Sequence, residues 1–216
     1  MIDHLRQSGR FFAIISAMPF MMGFTSAWLA AIGFILFVFG LPVLIGVFAI
    51  GAAGYLVQGI RIARQAKSMR DRAIAALAAP FMIGMTLVVA WPSLGAGNFI
   101  GTWTRLMVNR GHYEAIIERA KRGHRSPSTD SSAEVDGSIE YVVDAGPPVR
   151  VAFNPEGMLD NWSGIIFDPT GEVMLAKGFD GKTGKFAAPD RVTKLFGGDL
   201  VGCRHLWGNY YDCSFT

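Results

Sequence analysis

Hydrophobic positions fall into two regimes along the chain. Between residues 11 and 60, fifty consecutive positions contain no Asp, Glu, Lys, Arg or His. One bilayer crossing takes about 20 apolar residues, so this run predicts two transmembrane helices, over residues 11–29 and 34–58. A tight turn near residues 30–33 is expected to join them. A third apolar stretch predicts a helix over residues 73–91, with Pro92, Ser93, Gly95 and Gly97 as its stop. A signal peptide fits poorly, because its apolar core spans only about 7–15 residues. Met1 is therefore expected to stay in the mature chain.

Past residue 104 the pattern changes. Tyr113, Ile116, Ile117 and Ala120 form an apolar stripe at helical spacing, with Gly111 before it and Gly123 as its stop. Residues 124–137 are rich in Ser, Asp and Pro and predict a flexible linker. Alternating and β-branched runs then predict short strands at residues 139–143, 149–153, 164–167 and 172–176. The Asp168-Pro169-Thr170-Gly171 sequence predicts a type I turn between the last two strands. A short helix capped by Asp190 is expected to run to Phe196 and to stop at Gly197 and Gly198.

Composition agrees with this division. Charged residues make up 17% of the chain, against about 25% in an ordinary soluble domain. Residues 1–110 carry nine Lys/Arg and two Asp/Glu, while residues 111–216 carry eleven and fifteen. Basic residues accumulate on the cytoplasmic side of a membrane. Arg61, Arg64, Lys67, Arg70 and Arg72 lie between the second and third helices, and Arg6 and Arg10 lie near the N-terminus. Three crossings then leave the N-terminus inside and the C-terminal half outside. Trp28 and Trp91 would both sit at the outer interface, and the five basic residues would meet lipid headgroups. Arg105 and Arg110, after the third helix, run against that bias. If residues 73–104 formed a re-entrant hairpin instead, the C-terminal half would return to the cytoplasm.

The three expected helices contain no ionisable side chain of the kind that ion and proton pathways retain. Their polar residues are Ser16, Thr25, Ser26, Gln58 and Thr86, and each helix holds one proline: Pro19, Pro42 and Pro80. Gly46, Ala49 and Ala53 follow a small-residue spacing that suits close helix contact, within the chain or between copies.

The tail carries the most specific pattern. A hairpin centred on Gly208 places Leu206 opposite Tyr210, His205 opposite Tyr211, Arg204 opposite Asp212 and Cys203 opposite Cys213. One register thus pairs two opposite charges and both cysteines of the chain. It also puts Val201, Cys203, His205, Tyr211, Cys213 and Phe215 on one face. Facing residues of an antiparallel pair lie close enough for a disulfide, so Cys203–Cys213 is expected to be one. That bond suits an oxidising compartment.

Other chemistry is thinly represented. Cys203 and His205 share a strand face, the minimum for a thiol nucleophile and its base, but a disulfide would remove the thiolate. No metal site is expected: Cys203, His205 and Cys213 lack a fourth ligand and CxxC spacing. Asp160, Asp168 and Asp180 lack calcium-loop spacing. No phosphate-binding glycine loop is present, so no cofactor is expected. Seven basic against ten acidic residues over 138–216 argue against nucleic acid. His112 and His124 are expected to face solvent. Trp162, Trp207 and Phe179 lie in or near turns and are candidate partner-binding anchors; an aromatic there can equally lid a small core.

The expected architecture is a membrane α-helical region with three transmembrane helices (1–104), then an amphipathic helix and flexible linker (105–137). A small α+β domain dominated by antiparallel hairpins follows (138–216). The expected role is an integral inner-membrane protein of bacterial type, anchoring a non-catalytic extracytoplasmic domain that binds a protein or envelope component. The alternatives are a membrane-bound thiol enzyme using Cys203 and His205, and an accessory subunit of a transporter.

Overall fold

The computed structural model describes residues 2–123, 133–158 and 161–216. Most of the expected linker (124–132, with His124) and Asp160 lie outside the described residues. The chain divides into two compact units, Met1–Gly101 and Thr102–Thr216.

The first unit is helical. It contains α1 (Ile2–Trp28), α2 (Ala30–Ile35), a π-helical turn (Leu36–Gly40), α3 (Leu41–Gln65) and the first part of α4 (Met69–Lys121). Three stretches, Ile2–Trp28, Ile32–Gln65 and Met69–Lys121, are long and apolar enough to cross a membrane. The break after α1 falls at Leu29, with helix resuming at Ala30. The largest departure from expectation is α4, which does not stop at Pro92 but runs unbroken for 53 residues. It therefore contains no re-entrant hairpin and absorbs the expected separate helix around Tyr113.

Two physical effects explain the continuity. Away from water an unwound segment would strand its backbone N–H and C=O groups, whereas a proline inside a helix frees only one carbonyl. The glycines, moreover, serve packing. A Cβ on Gly97 would lie 2.0 Å from the backbone oxygen of Phe20, and one on Gly23 would lie 2.2 Å from that of Leu94. One on Gly101 would meet the Cβ of Ala27 and the carbonyl of Phe24, each at 2.7 Å. These are the small residues that bring α1 and α4 into backbone contact. The Gly46–Ala49–Ala53 spacing is not used this way: a Cβ on Gly46 meets open space, and Ala49 and Ala53 are exposed. Ser16 donates to the Thr86 hydroxyl between α1 and α4 at 3.2 Å, while Thr25 and Ser26 bond to carbonyls of their own helix.

The second unit is built on a six-stranded antiparallel sheet, ordered β1-β2-β3-β4-β8-β7. Its strands are β1 (Glu134–Asp136), β2 (Ile139–Asp144), β3 (Arg150–Met158), β4 (Asn161–Phe167), β7 (Leu200–Trp207) and β8 (Tyr210–Phe215). A small hairpin, β5 (Phe179–Asp180) with β6 (Lys185–Phe186), stands apart. β1 occupies the end of what the sequence reads as linker. Residues 172–176, expected to be a strand, instead begin with a 3-10 turn (Glu172–Leu175), and β4 pairs with β8 from the chain terminus. The Asp168 turn thus leads off the sheet. The short helix α5 (Asp190–Thr193) has Pro189, not Asp190, at its N-cap position, makes no side-chain cap bond there, and stops before Phe196, which has positive φ.

The central strands are buried on both faces, which is why they read as continuous apolar runs. On one face Val142, Ala152, Ile166, Tyr211, Cys213 and Phe215 pack with Val173, Val192 and Leu195 from the segment that crosses over. Val151, Phe153, Ile165, Phe167 and Tyr210 have the opposite parity, and they too are buried. Against that second face lies the end of α4. Tyr113 is fully buried and stacks on Phe153 with ring centroids 4.2 Å apart. The stripe Tyr113, Ile116, Ile117 is thus core.

Candidate functional site

The tail hairpin carries three of the expected pairs: Cys203↔Cys213, Arg204↔Asp212 and His205↔Tyr211. Cys203 and Cys213 form a disulfide, with Cα atoms 4.1 Å apart. The fourth expected pair fails, because Tyr210 faces Trp207 and Leu206 is the extra residue of a bulge. The turn is the two-residue Gly208-Asn209, with Gly208 at positive φ. A second irregularity between Leu200 and Gly202 takes Val201 out of the expected face and puts Leu200 in the core. His205 is exposed and its Nε2 lies 2.8 Å from the carbonyl oxygen of Gly208. With both sulfurs bonded to each other, Cys203 has no thiolate to offer His205. Arg204 and Asp212 form an ion pair at 2.6 Å; burial pushes the Asp212 carboxyl up, against the pull of Arg204.

The three candidate aromatic anchors differ in setting. Trp162 stacks on Phe215 with centroids 4.0 Å apart and meets Phe196 edge-on, so it serves as a lid on the core. Phe179 is 60% exposed on the β5–β6 hairpin, edge-on to Phe186. Trp207 is 42% exposed and is held by the Arg110 guanidinium, 4.1 Å from the ring centroid. Arg110 is fixed in turn by Glu114 at 2.7 Å, one helical turn on.

Trp207 forms one wall of a cavity of about 250 Å³ within the second unit. Phe167 and Tyr210 supply the remaining aromatic surface, Glu114, Ile117, Glu118 and Lys121 the helix side, and Gly208 and Asn209 the rim. Lys121 lies 5.6 Å from the Phe167 ring centroid and pairs with Glu118 at 3.0 Å. Burial, reinforced by Glu114, pushes the Tyr210 phenol up to about 12, so it is neutral at physiological pH. An aromatic floor, two carboxylates and one ammonium suit an amphipathic ligand or side chain. Sequence patterning places Trp207 in a turn and Glu114 and Lys121 on one helix. It carries no signal that hairpin and helix meet.

Asp168 has a role beyond its turn. It is fully buried and accepts from Arg150 Nε at 3.0 Å, the Thr170 hydroxyl at 2.7 Å and the Val173 N–H at 3.1 Å. Arg150 also reaches Glu172 at 2.8 Å, and Glu172 pairs with Arg191. Burial raises the Asp168 carboxyl, but the hydrogen bonds from Thr170 and Val173, with the Arg150 charge, outweigh it and hold the group below the usual carboxylate range. Every oxygen in this cluster already has a partner, which marks it as a structural joint.

Asp180 accepts from the Lys182 N–H at 2.8 Å and the Thr183 hydroxyl at 3.0 Å, closing its own loop. His112 is solvent-facing and lies 3.2 Å from Asp136, which also pairs with Arg119. Arg61 and Arg64 end α3, Lys67 lies in the connection, and Arg70 and Arg72 begin α4. Among the described residues, no group of three or more His, Cys, Asp or Glu is placed to hold a metal ion. Comparison with protein-family models, with curated proteins and with solved structures finds no match to this chain.

Proposed function

We propose that this chain is a multi-pass protein of a bacterial-type inner membrane whose disulfide-stapled domain faces the extracytoplasmic side and binds a protein or envelope component. The observation that carries the binding role is Trp207, half-exposed yet held by Arg110 at the wall of the aromatic cavity. A tryptophan kept rigid at a pocket edge loses little side-chain entropy on binding, which is why such residues dominate interface energetics.

Two further observations support the orientation. The Cys203–Cys213 disulfide suits an oxidising compartment. The two arginines that argued against an outer position are each ion-paired, Arg105 with Glu156 at 2.5 Å and Arg110 with Glu114 at 2.7 Å. They act as parts of a folded domain and weigh less as topological signals.

Photo-crosslinking from positions 114 and 118 in intact cells, with Trp207 left in place, tests the binding role. A discrete adduct that disappears when Arg110→Gln frees the ring supports it. No adduct from either position removes it. Reporters fused after Gly123 and at the C-terminus test the side: periplasmic activity at both supports the orientation, and cytoplasmic activity overturns it.

A further inference from the structure

The five basic residues between α3 and α4 are not equivalent. Arg64 and Arg72 line a cavity of about 300 Å³ whose remaining walls are Ile60, Ala63 and Ala76. The cavity lies wholly within the first unit, where the end of α3 meets the first turns of α4. Arg61, Lys67 and Arg70 are not among its walls. Arg72 is positioned by a hydrogen bond from its Nη2 to the Ala66 carbonyl, at 3.3 Å. A guanidinium carries five N–H donors, so this bond leaves most of the fork for another acceptor.

We propose that this cavity holds the phosphodiester headgroup of one anionic phospholipid. The inference rests on α3 and α4 crossing the membrane. Charge is the first argument: two guanidiniums share one small cavity whose other walls are aliphatic, and paired guanidiniums match the geometry of phosphate oxygens. Continuity is the second. Ile60 lines the cavity and is itself half-exposed, and one turn further into each helix on the same face Val57 of α3 and Pro80 of α4 are exposed too. An apolar surface running away from a charged cavity at a helix end suits a molecule with one phosphate and long acyl chains. A free phosphate ion would gain nothing from that surface. Small-residue walls at Ala63 and Ala76 leave the room that larger side chains would fill.

The test uses the full-length protein reconstituted with equimolar phosphatidylglycerol and phosphatidylethanolamine, then transferred to mild detergent for native mass spectrometry. Wild type is expected to retain one phosphatidylglycerol. Arg64→Gln with Arg72→Gln should lower that preference at least about tenfold, while Arg61→Gln with Arg70→Gln, which removes the same charge nearby, should keep it. Equal retention of the two lipids by wild type overturns the site, as does equal loss in the two double variants. Glycerol phosphate bound as well as the lipid by lipid-free protein overturns the assignment to lipid. If the first double variant does not fold, wild type with a photoreactive phosphatidylglycerol decides: adducts confined to residues 60–76 support the site, and adducts spread over all helices overturn it. Carbonate extraction separates the two readings. Protein that stays in the membrane without lipid preference loses only this site, and protein that washes off loses the anchor as well.

Discussion

Asn154 donates its side-chain N–H to the phenol oxygen of Tyr113 across 2.8 Å, joining the bulge of β3 to the last turns of α4. Both residues are buried, and Asn154 occupies the left-handed region at φ 47°, which asparagine tolerates better than most residues. The contact holds a helix that begins among apolar spans to the sheet it ends on. Tyr113→Phe removes the acceptor and leaves a buried amide N–H unsatisfied. It should destabilise the second unit by about 1–3 kcal/mol. Denaturant unfolding in detergent, followed by the fluorescence of Trp162 and Trp207, measures the change.

The buried cluster around Asp168 predicts an asymmetric pair of variants. Asp168→Ala takes the Nε partner from Arg150, only 4% exposed and left with Glu172, and orphans the buried Val173 N–H; it should cost at least about 1–3 kcal/mol. Arg191→Ala, at an exposed pair, should cost no more than about 1 kcal/mol. The acid limb follows from the lowered carboxyl. Its folded pKa lies below the unfolded 3.8, so its contribution is complete above that value and is lost as pH falls through the folded one. Acid titration of the unfolding midpoint should show this loss below about pH 4 in wild type and not in Asp168→Asn.

At the alkaline end three tyrosines act together, and burial raises Tyr113 to about 12. Burial raises both Tyr210 and Tyr141 to about 12, with Glu114 adding at the first and the hydrogen bond to Glu134 adding at the second. The folded value exceeds the unfolded 10.0. Their contribution is therefore full below pH 10 and disappears as pH rises towards about 12. Phenolate absorbance should show at least three late-titrating groups, and replacing Tyr210 and Tyr141 by Phe should lessen the alkaline loss of stability.

Reduction of Cys203–Cys213 should lower the stability of the second unit by somewhat less than about 3 kcal/mol, the chain-entropy value for a 15-residue loop, because this bond closes a span of ten. Unfolding with and without phosphine reductant measures the difference. Non-reduced protein should take up no thiol label whether folded or unfolded, and two labels once reduced and unfolded.

The α1–α4 contact predicts a contrast between glycines. Gly97→Ala puts a methyl 2.0 Å from a backbone oxygen and must separate the helices, with a loss of about 1–3 kcal/mol or more. Gly46→Ala meets nothing within 4 Å and should be neutral or slightly favourable through helix propensity. Thermal stability in detergent distinguishes them.

Charge-free length, two-residue alternation and one hairpin register determined a good deal by themselves: three apolar helices, a C-terminal antiparallel sheet, the Arg204–Asp212 pair and the disulfide. Those features depend on local periodicity or on residues ten or fewer apart, where the pattern itself carries the physics. Tertiary structure alone decided that Pro92 and Gly97 lie inside α4 and not at its end, since a glycine that breaks a helix in water and one that lets two helices touch are the same letter. It likewise decided that residues 172–176 leave the sheet, that β4 pairs with the chain terminus, and that Trp162 lids the core while Trp207 does not. Partners far apart in sequence set those outcomes, through burial and close approach that no window along the chain contains.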